Sequence, residues 1–420
     1  MTAPASFAID DAHAVVTGML GGPGRTETVA LGAGLGRIAA RGVAATGDQP
    51  RFAAAAMDGW AICRGDDGGQ EGGGTSFRVI GESRAGHAFQ GELQAGEAVH
   101  VSTGAMMPGG ADALVRREQG RQLGTVLSIG ECVSGRDIRP RGCDFRQGDR
   151  LLAAGKRIDH FDIARLAASG TAQVEVRARP RVALLATGDE LVVPGATAHA
   201  AANYDALSPA LCARLGQVGA AVLDLGIAGD DDAAIAARLR RADAEILVVI
   251  GGASGGRHDR VRAALGGLGL SVLVPSVRMR PGKPFWFGRL GDDRFVMGLP
   301  GNPVAALAAA ELFLVPALLA LQGLGAAISW TDCPELGDPA GGAGCERLRF
   351  ARLADNAGAG RCIELLGGSD SAALAPLLGA NALVRLGSAP MAALRNSCGL
   401  RASPERQIFR HGLTGARSFR

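Results

Sequence analysis

The sequence predicts a multidomain α/β protein organised round a doubly wound parallel-sheet domain. Three observations predict it. Beyond Pro180 the apolar runs RVALLATG, AAVLDLGIAG and AEILVVIGGAS alternate with the helix-patterned stretches SPALCARLGQVG and DDAAIAARLRRA, the order of a parallel sheet with crossover helices. Earlier in the chain, up to about residue 144, short β-prone segments (SFRVI, EAVHVSTG, DALVRRE, TVLSI) alternate with Gly-rich turns, as in a small all-β domain. The chain is 420 residues long, which at roughly 100 to 200 residues per domain leaves room for two to four domains.

Taken in order, residues 10 to 42 carry a helical pattern ending in ETVALGAGLGRIAARGV, with Leu31, Leu35 and Ile38 at helical spacing. The all-β stretch follows. Residues 145 to 178 then return to a helix, IDHFDIARLAASG, and a strand, TAQVEV. Right-handed crossovers in the region beyond Pro180 bring the strand carboxyl ends to one edge, where ligands of such sheets bind. The apolar run from Pro303 to Leu321 contains Glu311 and an Ala-rich start, which predicts a buried core helix rather than a membrane span. After it, Gly323 to Cys345 reads as a linker, RCIELLG and NALVRLG as strands of a further small β domain, and FRHGLTGARSFR as an unstructured tail.

Composition excludes several function classes. Hydrophobic residues make up 47% and charged residues 20%, a globular rather than a disordered profile. The net charge of +3 and the scattered arginines give no basic stripe, so no nucleic-acid partner is expected. Cys63, Cys132, Cys143, Cys212, Cys333, Cys345, Cys362 and Cys398 form no CxxC and no zinc-spaced cluster, which fits free thiols in a reducing compartment. The start, MTAPASFAIDDAH, has no basic segment followed by an apolar one, so the expected location is cytoplasmic, without a membrane partner.

At the sheet edge the first strand is followed by Thr187-Gly188-Asp189-Glu190, the second by Gly229-Asp230-Asp231-Asp232, and the third by Gly251-Gly252-Ala253-Ser254-Gly255-Gly256 with His258 and Asp259. Carboxylates with open coordination positions suit Mg2+, which keeps several waters and shares substrate phosphate; Asp189, Glu190 and Asp230 are its candidate ligands. One of Asp230 and Asp231 is better explained as the cap of the following helix. The glycine loop can offer backbone N–H groups to an anion, with Thr187, Gly188, Gly252 and Ser254 as candidate contacts.

Arg278-Met279-Arg280-Pro281-Gly282-Lys283-Pro284 alternates cations with rigid turn residues. Arg280 and Lys283 therefore suit a tetrahedral oxyanion or a phosphate, and a solvated basic hairpin explains the segment equally well. Leu299-Pro300-Gly301-Asn302-Pro303 leads directly into the Ala-rich helix, with Pro303 near its first position and Asn302 as the expected cap. An anion site at that helix start is the alternative reading of Pro300 and Pro303.

These segments, in this order, resemble the MoeA family of molybdopterin molybdenumtransferases, whose relatives include the gephyrin E domain. The resemblance is carried by Ala56-Met57-Asp58-Gly59-Trp60-Ala61, Thr103-Gly104-Ala105 with Pro108, Gly110-Ala111-Asp112 with Glu118, Arg141-Gly142 with Asp144, Thr187 to Leu191, Arg280 to Pro284 and Gly298 to Pro303. It implies a homodimer of four-domain subunits: a helical stem (1–44 plus 145–178), an inserted β domain (45–144), the α/β molybdopterin-binding domain (179–322) and a C-terminal β domain (330–410). It also implies insertion of molybdate into adenylylated molybdopterin with release of AMP, promoted by Mg2+. Carried over position by position, the functional residues are Asp58, Thr103, Glu190, Asp230 and Asp259, with Arg280 and Lys283 near the anions and Pro300 and Pro303 shaping their loop. The dimer is expected to bring Asp58 and Thr103 to the partner's cleft. The molybdopterin adenylyltransferase and recipient molybdoenzymes are the implied further partners.

The chain departs from the family pattern in four places: Ala206 and Leu207 stand where polar residues are usual, Arg257 where an acid is common, and Ala305 where many members have Ser. Two rival functions follow. One is a non-catalytic chaperone or scaffold for the finished cofactor, and the other a magnesium-dependent nucleotide phosphohydrolase, which would not need molybdate.

Overall fold

The computed structural model describes residues 6–22, 24–64, 75–130, 137–252, 260–291, 293–328, 330–332, 345–356, 360–368, 370–386 and 392–395. The chain divides into two compact units, Met1–Arg25 with Arg177–Arg420, and Thr26–Val176.

The first unit is built on a six-stranded sheet with strands β1 (Arg181–Thr187), β2 (Ala221–Ala228), β3 (Ile246–Ile250), β4 (Leu270–Val274), β5 (Trp286–Leu290) and β6 (Arg294–Leu299). Their spatial order is β2-β1-β3-β6-β5-β4. Parallel pairing joins β2, β1, β3 and β6, and helices Leu207–Gln217, Asp232–Arg241 and Arg260–Gly266 make the crossovers. Strand alternation serves two cores. Val182, Leu184, Ile246, Val248 and Ile250 pack on one face with Leu211, Leu215 and the 303–321 helix, while Ala183, Leu185, Leu247 and Val249 pack on the other with Ile235, Leu239, Val261 and Leu265. Each large side chain so buried contributes about 1.5 to 3 kcal/mol, which is why these strands are apolar on every position.

One part of the expected sheet differs. It is mixed rather than parallel, because β5 runs antiparallel to both β4 and β6. Only residues 291–293 separate β5 from β6. A parallel neighbour needs a crossover of a dozen residues or more, so a link this short forces a hairpin.

The expected core helix over 303–321 is present, long and apolar enough to cross a membrane but 67% buried within the unit. It is α-helical at both ends and π-helical over Ala310–Leu314. Pro316 has no N–H for the carbonyl four residues earlier and its ring crowds that carbonyl, which relaxes the helix there. The freed Leu312 carbonyl lies 3.0 Å from His13 Nδ1, on helix Ile9–Met19. Glu311, the one acid of the run, forms a two-point ion pair with Arg214 at 2.6 and 2.9 Å.

A C-terminal sheet completes the first unit, with Glu346–Asn356 at its centre beside Ala382–Leu386 and Gly360–Leu365. Its far edge is Met279–Arg280, paired in parallel with Glu346 and Arg347, so the basic segment belongs to this sheet. Residues 409–420 of the expected tail lie outside the described residues.

The Thr26–Val176 unit contains a six-stranded sheet in the order Ala113–Arg116, Gly59–Ile62, Glu97–Val101, Thr75–Ser83, Val126–Ile129, Gly120–Leu123. A smaller core gathers Leu31, Leu152, Ile158, Val174 and Val176 round helix His160–Ala168. The helix expected across Leu31, Leu35 and Ile38 is instead a strand, Thr26–Ala30, and a single turn, Leu31–Gly34. Gly32, Gly34 and Gly36 explain the change, since glycine disfavours helix and a Cβ at Gly34 would stand 3.0 Å from Val174 Cγ2. Helix Ile9–Met19 and helix His160–Ala168 fall in different compact units.

Trp286 on β5 is fully buried and registers opposite Gly298 on β6, where a Cβ would lie 1.9 Å from Trp286 Nε1. Gly298→Ala is therefore expected to lower stability by about 1 to 3 kcal/mol, the usual cost of overpacking a core. Urea unfolding followed by tryptophan fluorescence checks this, and a wild-type midpoint would refute it.

Candidate active site

The strand order reverses between β1 and β3: the chain leaves β1 towards β2 on one side and returns to β3 on the other. Such a switch point opens a crevice at the strand carboxyl ends. Thr187 closes its floor. Its hydroxyl is buried and donates to the Ile250 carbonyl at 3.1 Å, tying β1 to β3. In this arrangement the hydroxyl proton serves the sheet. Backbone crowding explains the glycines. A Cβ at Gly188 would stand 2.3 Å from the Glu190 carboxylate, one at Gly251 2.6 Å from the Thr187 carbonyl, and one at Gly252 2.7 Å from Val261 Cγ2.

Four carboxylates reach this edge, in three distinct states. Asp231 caps helix Asp232–Arg241, accepting from the Ala234 N–H at 2.7 Å, so the capping role falls to it and not to Asp230. Asp189 accepts from the Asp230 N–H at 3.0 Å and thereby links the β1 and β2 ends. Glu190 and Asp230 are exposed, and their carboxylates accept no hydrogen bond from a described residue. Among the described residues no group of three or more His, Cys, Asp or Glu side chains can hold a metal ion. The expected ligand trio of Asp189, Glu190 and Asp230 is therefore not gathered into a metal cage. Ser254 and Asp259 lie outside the described residues, as does Arg257.

The departures at 206 and 207 are absorbed by the fold. Asp205 is buried and its carboxylate accepts from the Leu207 and Ser208 N–H groups at 3.1 and 3.0 Å, which satisfies two donors of the first helical turn beside Ala206. Leu207 joins the sheet core, and Ala305 is buried in the long helix.

Arg280 and Pro281 line a second feature, a cavity of about 380 Å³ whose wall also includes Arg347, Arg349, Asp370 and Ser371. This cavity belongs to the C-terminal sheet and not to the Gly188–Glu190 edge. Arg280 registers directly opposite Arg347, and like charges in that position repel. Arg349 is anchored by the Gly367 carbonyl, while its buried Nε has no partner among the described residues. Lys283 is exposed two residues beyond Pro281 and does not line the cavity. Pro303 opens the long helix as expected, but Asn302 does not cap it. Its amide instead donates to Ser371 Oγ at 2.8 Å, joining the loop after β6 to the cavity wall. Arg347, Arg349 and Ser371 escaped the reading of the sequence. The alternation RLRF, which puts two arginines on one face of a strand, was the available signal.

Asp58 and Thr103 occupy the other unit, where Gly59 pairs with Val101 and so brings their flanking residues together. Asp58 Oδ1 accepts from the Thr103 N–H at 2.6 Å and from its hydroxyl at 2.9 Å. The Thr103 backbone bond, then its hydroxyl, hold the Asp58 carboxyl below the usual carboxylate range, helped by the charges of Arg117 and His100. The pair therefore presents a fixed anion at neutral pH. Gly59 is required beside it, since a Cβ there would lie 1.9 Å from the Val115 carbonyl oxygen.

Comparison with known proteins decides the family. Residues 7–170 match the MoeA N-terminal region (domain I and II), and residues 183–320 match a probable molybdopterin binding domain. A molybdopterin molybdenumtransferase from Nostoc sp. is 36% identical over 71% of this chain and 70% of its own, and one from Haemophilus influenzae 33% identical over 75% and 78%. The chain belongs to the MoeA family of molybdopterin molybdenumtransferases. Its role is accordingly in molybdenum cofactor biosynthesis. The crystal structure of a MoeA protein from Pyrococcus horikosii superposes with a TM-score of 0.76 at 28% identity, covering 93% of this chain and 97% of that one. The fold reading of mixed α/β sheets is thus a property shared with MoeA proteins.

Thr103→Ala removes the second of the two bonds to Asp58 and leaves the first. The Asp58 carboxyl should then titrate higher than in the wild type but still below an ordinary aspartate. Its folded-state value is depressed, so this pair stabilises the fold above the unfolded-state pKa and loses that contribution as pH falls through the folded one. Carboxyl-carbon NMR titration of the two proteins tests the claim; an unchanged Asp58 titration would refute it.

Proposed function

We propose that this member of the MoeA family cleaves adenylylated molybdopterin, releasing AMP as molybdate is joined to the dithiolene. The observation that carries the reading is the register of Arg280 against Arg347 in the wall of a cavity that also contains Arg349 and Ser371. Two like charges held opposite one another are relieved by a bound anion, and a hydroxyl adds a donor for a tetrahedral oxyanion. Molybdate is the matching substrate in this pathway. Lys283, at the rim of the same rigid turn, adds a further cation.

The crevice between β1 and β3 is the proposed seat of the nucleotide phosphates. Gly251 and Gly252 bring half-buried backbone without side chains to it, and Glu190 and Asp230 are exposed at its lip. This donor set fits magnesium only as an ion shared with phosphate oxygens, since two or three carboxylates that are not gathered cannot form a dedicated cage. Glu190 and Asp230 would hold such an ion, which when bound offsets charge on the phosphoanhydride. Asp189 keeps the lip in place through the Asp230 N–H. Asp259 and Ser254, outside the described residues, complete the proposed set by the family resemblance, and Pro300 and Pro303 stiffen the loop after β6.

Asp58 and Thr103 are proposed to act on the same substrate from the neighbouring subunit of a homodimer in the cytoplasm. The support is their fixed, ionised geometry on a separate compact unit. The molybdopterin adenylyltransferase and recipient molybdoenzymes are its proposed partners upstream and downstream.

Glu190→Gln should abolish AMP release and cofactor formation without unfolding the protein, because charge is lost at nearly constant shape. The assay combines purified protein, adenylylated molybdopterin, molybdate and magnesium; wild-type turnover by a folded variant would end this assignment. AMP release without any need for molybdate would instead favour a phosphohydrolase, and binding without turnover a scaffold. Mixing inactive Asp58→Ala with inactive Asp259→Ala protein should restore part of the activity, since one cleft of the mixed dimer keeps both residues. No recovery after verified subunit exchange would count against shared sites. Lys283→Ala should weaken tungstate binding roughly ten- to a hundredfold in calorimetry, the loss of one charge-assisted hydrogen bond, and an unchanged affinity returns Lys283 to the solvent.

A further inference from the structure

We infer that a second cavity, in the Thr26–Val176 unit beside Thr103, binds the 2-amino-4-oxo edge of a fused heteroaromatic ring, the edge that a pterin carries. The inference rests on the proposed function above and adds to it the place where the ring system is held.

The cavity is about 520 Å³ and is lined by Gln49, Pro50, Phe52, Ala54, Gly104, Arg139, Cys143 and Asp144. Ligand pockets span about 300 to 1,000 Å³, so a bicyclic ring fits with room to spare. Gly104 puts it next to the Asp58–Thr103 pair, and a Cβ at Gly104 would meet nothing within 4 Å, so the backbone there faces open space.

The charges of its wall are distinctive. Around it, ionic groups are committed: Arg141 pairs with Asp48 at 2.5 Å, Asp48 also accepts from the Gln147 N–H at 2.8 Å, and Asp149 accepts from the Arg146 N–H at 2.8 Å. Arg139 and Asp144, both exposed, are the two ionic residues that line the cavity, and neither side chain bonds to the other or to any described residue. Their backbones are nevertheless held, Arg139 in register with Ala54 and Asp144 by its N–H to the Gln49 carbonyl at 3.0 Å.

A carboxylate and a guanidinium on anchored backbone in one cavity select against a phosphate, which Asp144 repels, and against a cation, which Arg139 repels. They favour a neutral edge with donors on one side and an acceptor on the other. The 2-amino-4-oxo edge has that pattern: the ring N3–H and the exocyclic amine donate side by side to a carboxylate, and the 4-oxo group accepts from a guanidinium. Pro50 and Phe52 supply apolar wall for the flat faces of the ring. Adenine offers a donor beside an acceptor and mismatches the carboxylate, so the nucleotide half of the substrate is not what this cavity reads. Guanine shares the edge and is the alternative source.

The test titrates the full-length protein with pterin, with lumazine, whose 2-oxo group replaces the amine, and with guanosine, by fluorescence and calorimetry. Pterin should bind at least about tenfold more tightly than lumazine, because lumazine turns an oxygen towards Asp144. Asp144→Asn should erase that preference, and Arg139→Gln should weaken pterin by about tenfold or more. Cys143 is exposed in the cavity wall, so pterin should also slow its alkylation while leaving the exposed Cys345 unprotected, read by peptide mass spectrometry on the unmodified chain. Guanosine binding more tightly than pterin, with the same dependence on Asp144, supports the edge and reassigns its source to a purine. Absent pterin binding, equal binding of pterin and lumazine, or an unprotected Cys143 overturns the inference. Failure of AMP release by the wild type is a separate outcome that defeats the enzymatic reading, while the pterin titration still decides this one.

Discussion

Everything at the sheet edge depends on the tie between β1 and β3 through the Thr187 hydroxyl and the Ile250 carbonyl. The two strands are buried on both faces, so their neighbours above and below are apolar and cannot satisfy a stray polar group. Thr187 resolves this by donating across the strand pair, and the chain can then diverge immediately into two turns. Those turns have no space for side chains: Gly188 abuts the Glu190 carboxylate and Gly251 the Thr187 carbonyl itself. The crevice is thus lined by glycine backbone, with the Glu190 carboxylate lying over Gly188 and the carboxylates of Glu190 and Asp230 exposed at its lip.

A second layer of constraint fixes the loop on the other side of the sheet. Asn302 begins the long helix but donates its amide to Ser371, so the start of that helix and the cavity wall of the C-terminal sheet are linked. Arg280, two residues long in its strand with Met279, is paired to Arg347 by the same sheet. The cation cluster is therefore assembled from segments almost seventy residues apart in sequence by ordinary strand pairing, and its repulsion is what a bound anion would relieve. The proline-induced π segment lower in the helix leaves a carbonyl for His13, which keeps the N-terminal helix on this core.

The Thr26–Val176 unit follows a different logic. There the decisive groups are small in number and each is held by backbone: Asp58 by the Thr103 N–H, Arg139 and Asp144 through strand and turn hydrogen bonds. At Asp58 the Thr103 N–H and hydroxyl favour the ionised carboxylate more than the charges of Arg117 and His100 do, so its charge is fixed chiefly by hydrogen bonds.

The sequence by itself determined the first three strands of the α/β region and the helices between them, the position of the long core helix and the residues at the sheet edge, because continuous apolar runs and glycine turns obey local rules. Family resemblance supplied Asp58 and Thr103 as functional positions, though not their contact with each other. Tertiary structure alone decided the antiparallel β5, which depends on the length of a connection and not on the strand's composition. It also decided that Asp231 rather than Asp230 caps its helix, that Thr187 serves the sheet, and that Asn302 reaches Ser371, since each choice turns on which partner lies within hydrogen-bond distance. The strand and turn at Thr26–Gly34 misled a periodicity argument because leucines at helical spacing were interleaved with glycines. Arg347, Arg349 and Arg139 stayed hidden, and Asp144 was legible only as part of the family motif, for a related reason: a charged residue looks the same in sequence whether it is paired, solvated or left facing a cavity, and only the surrounding chain determines which.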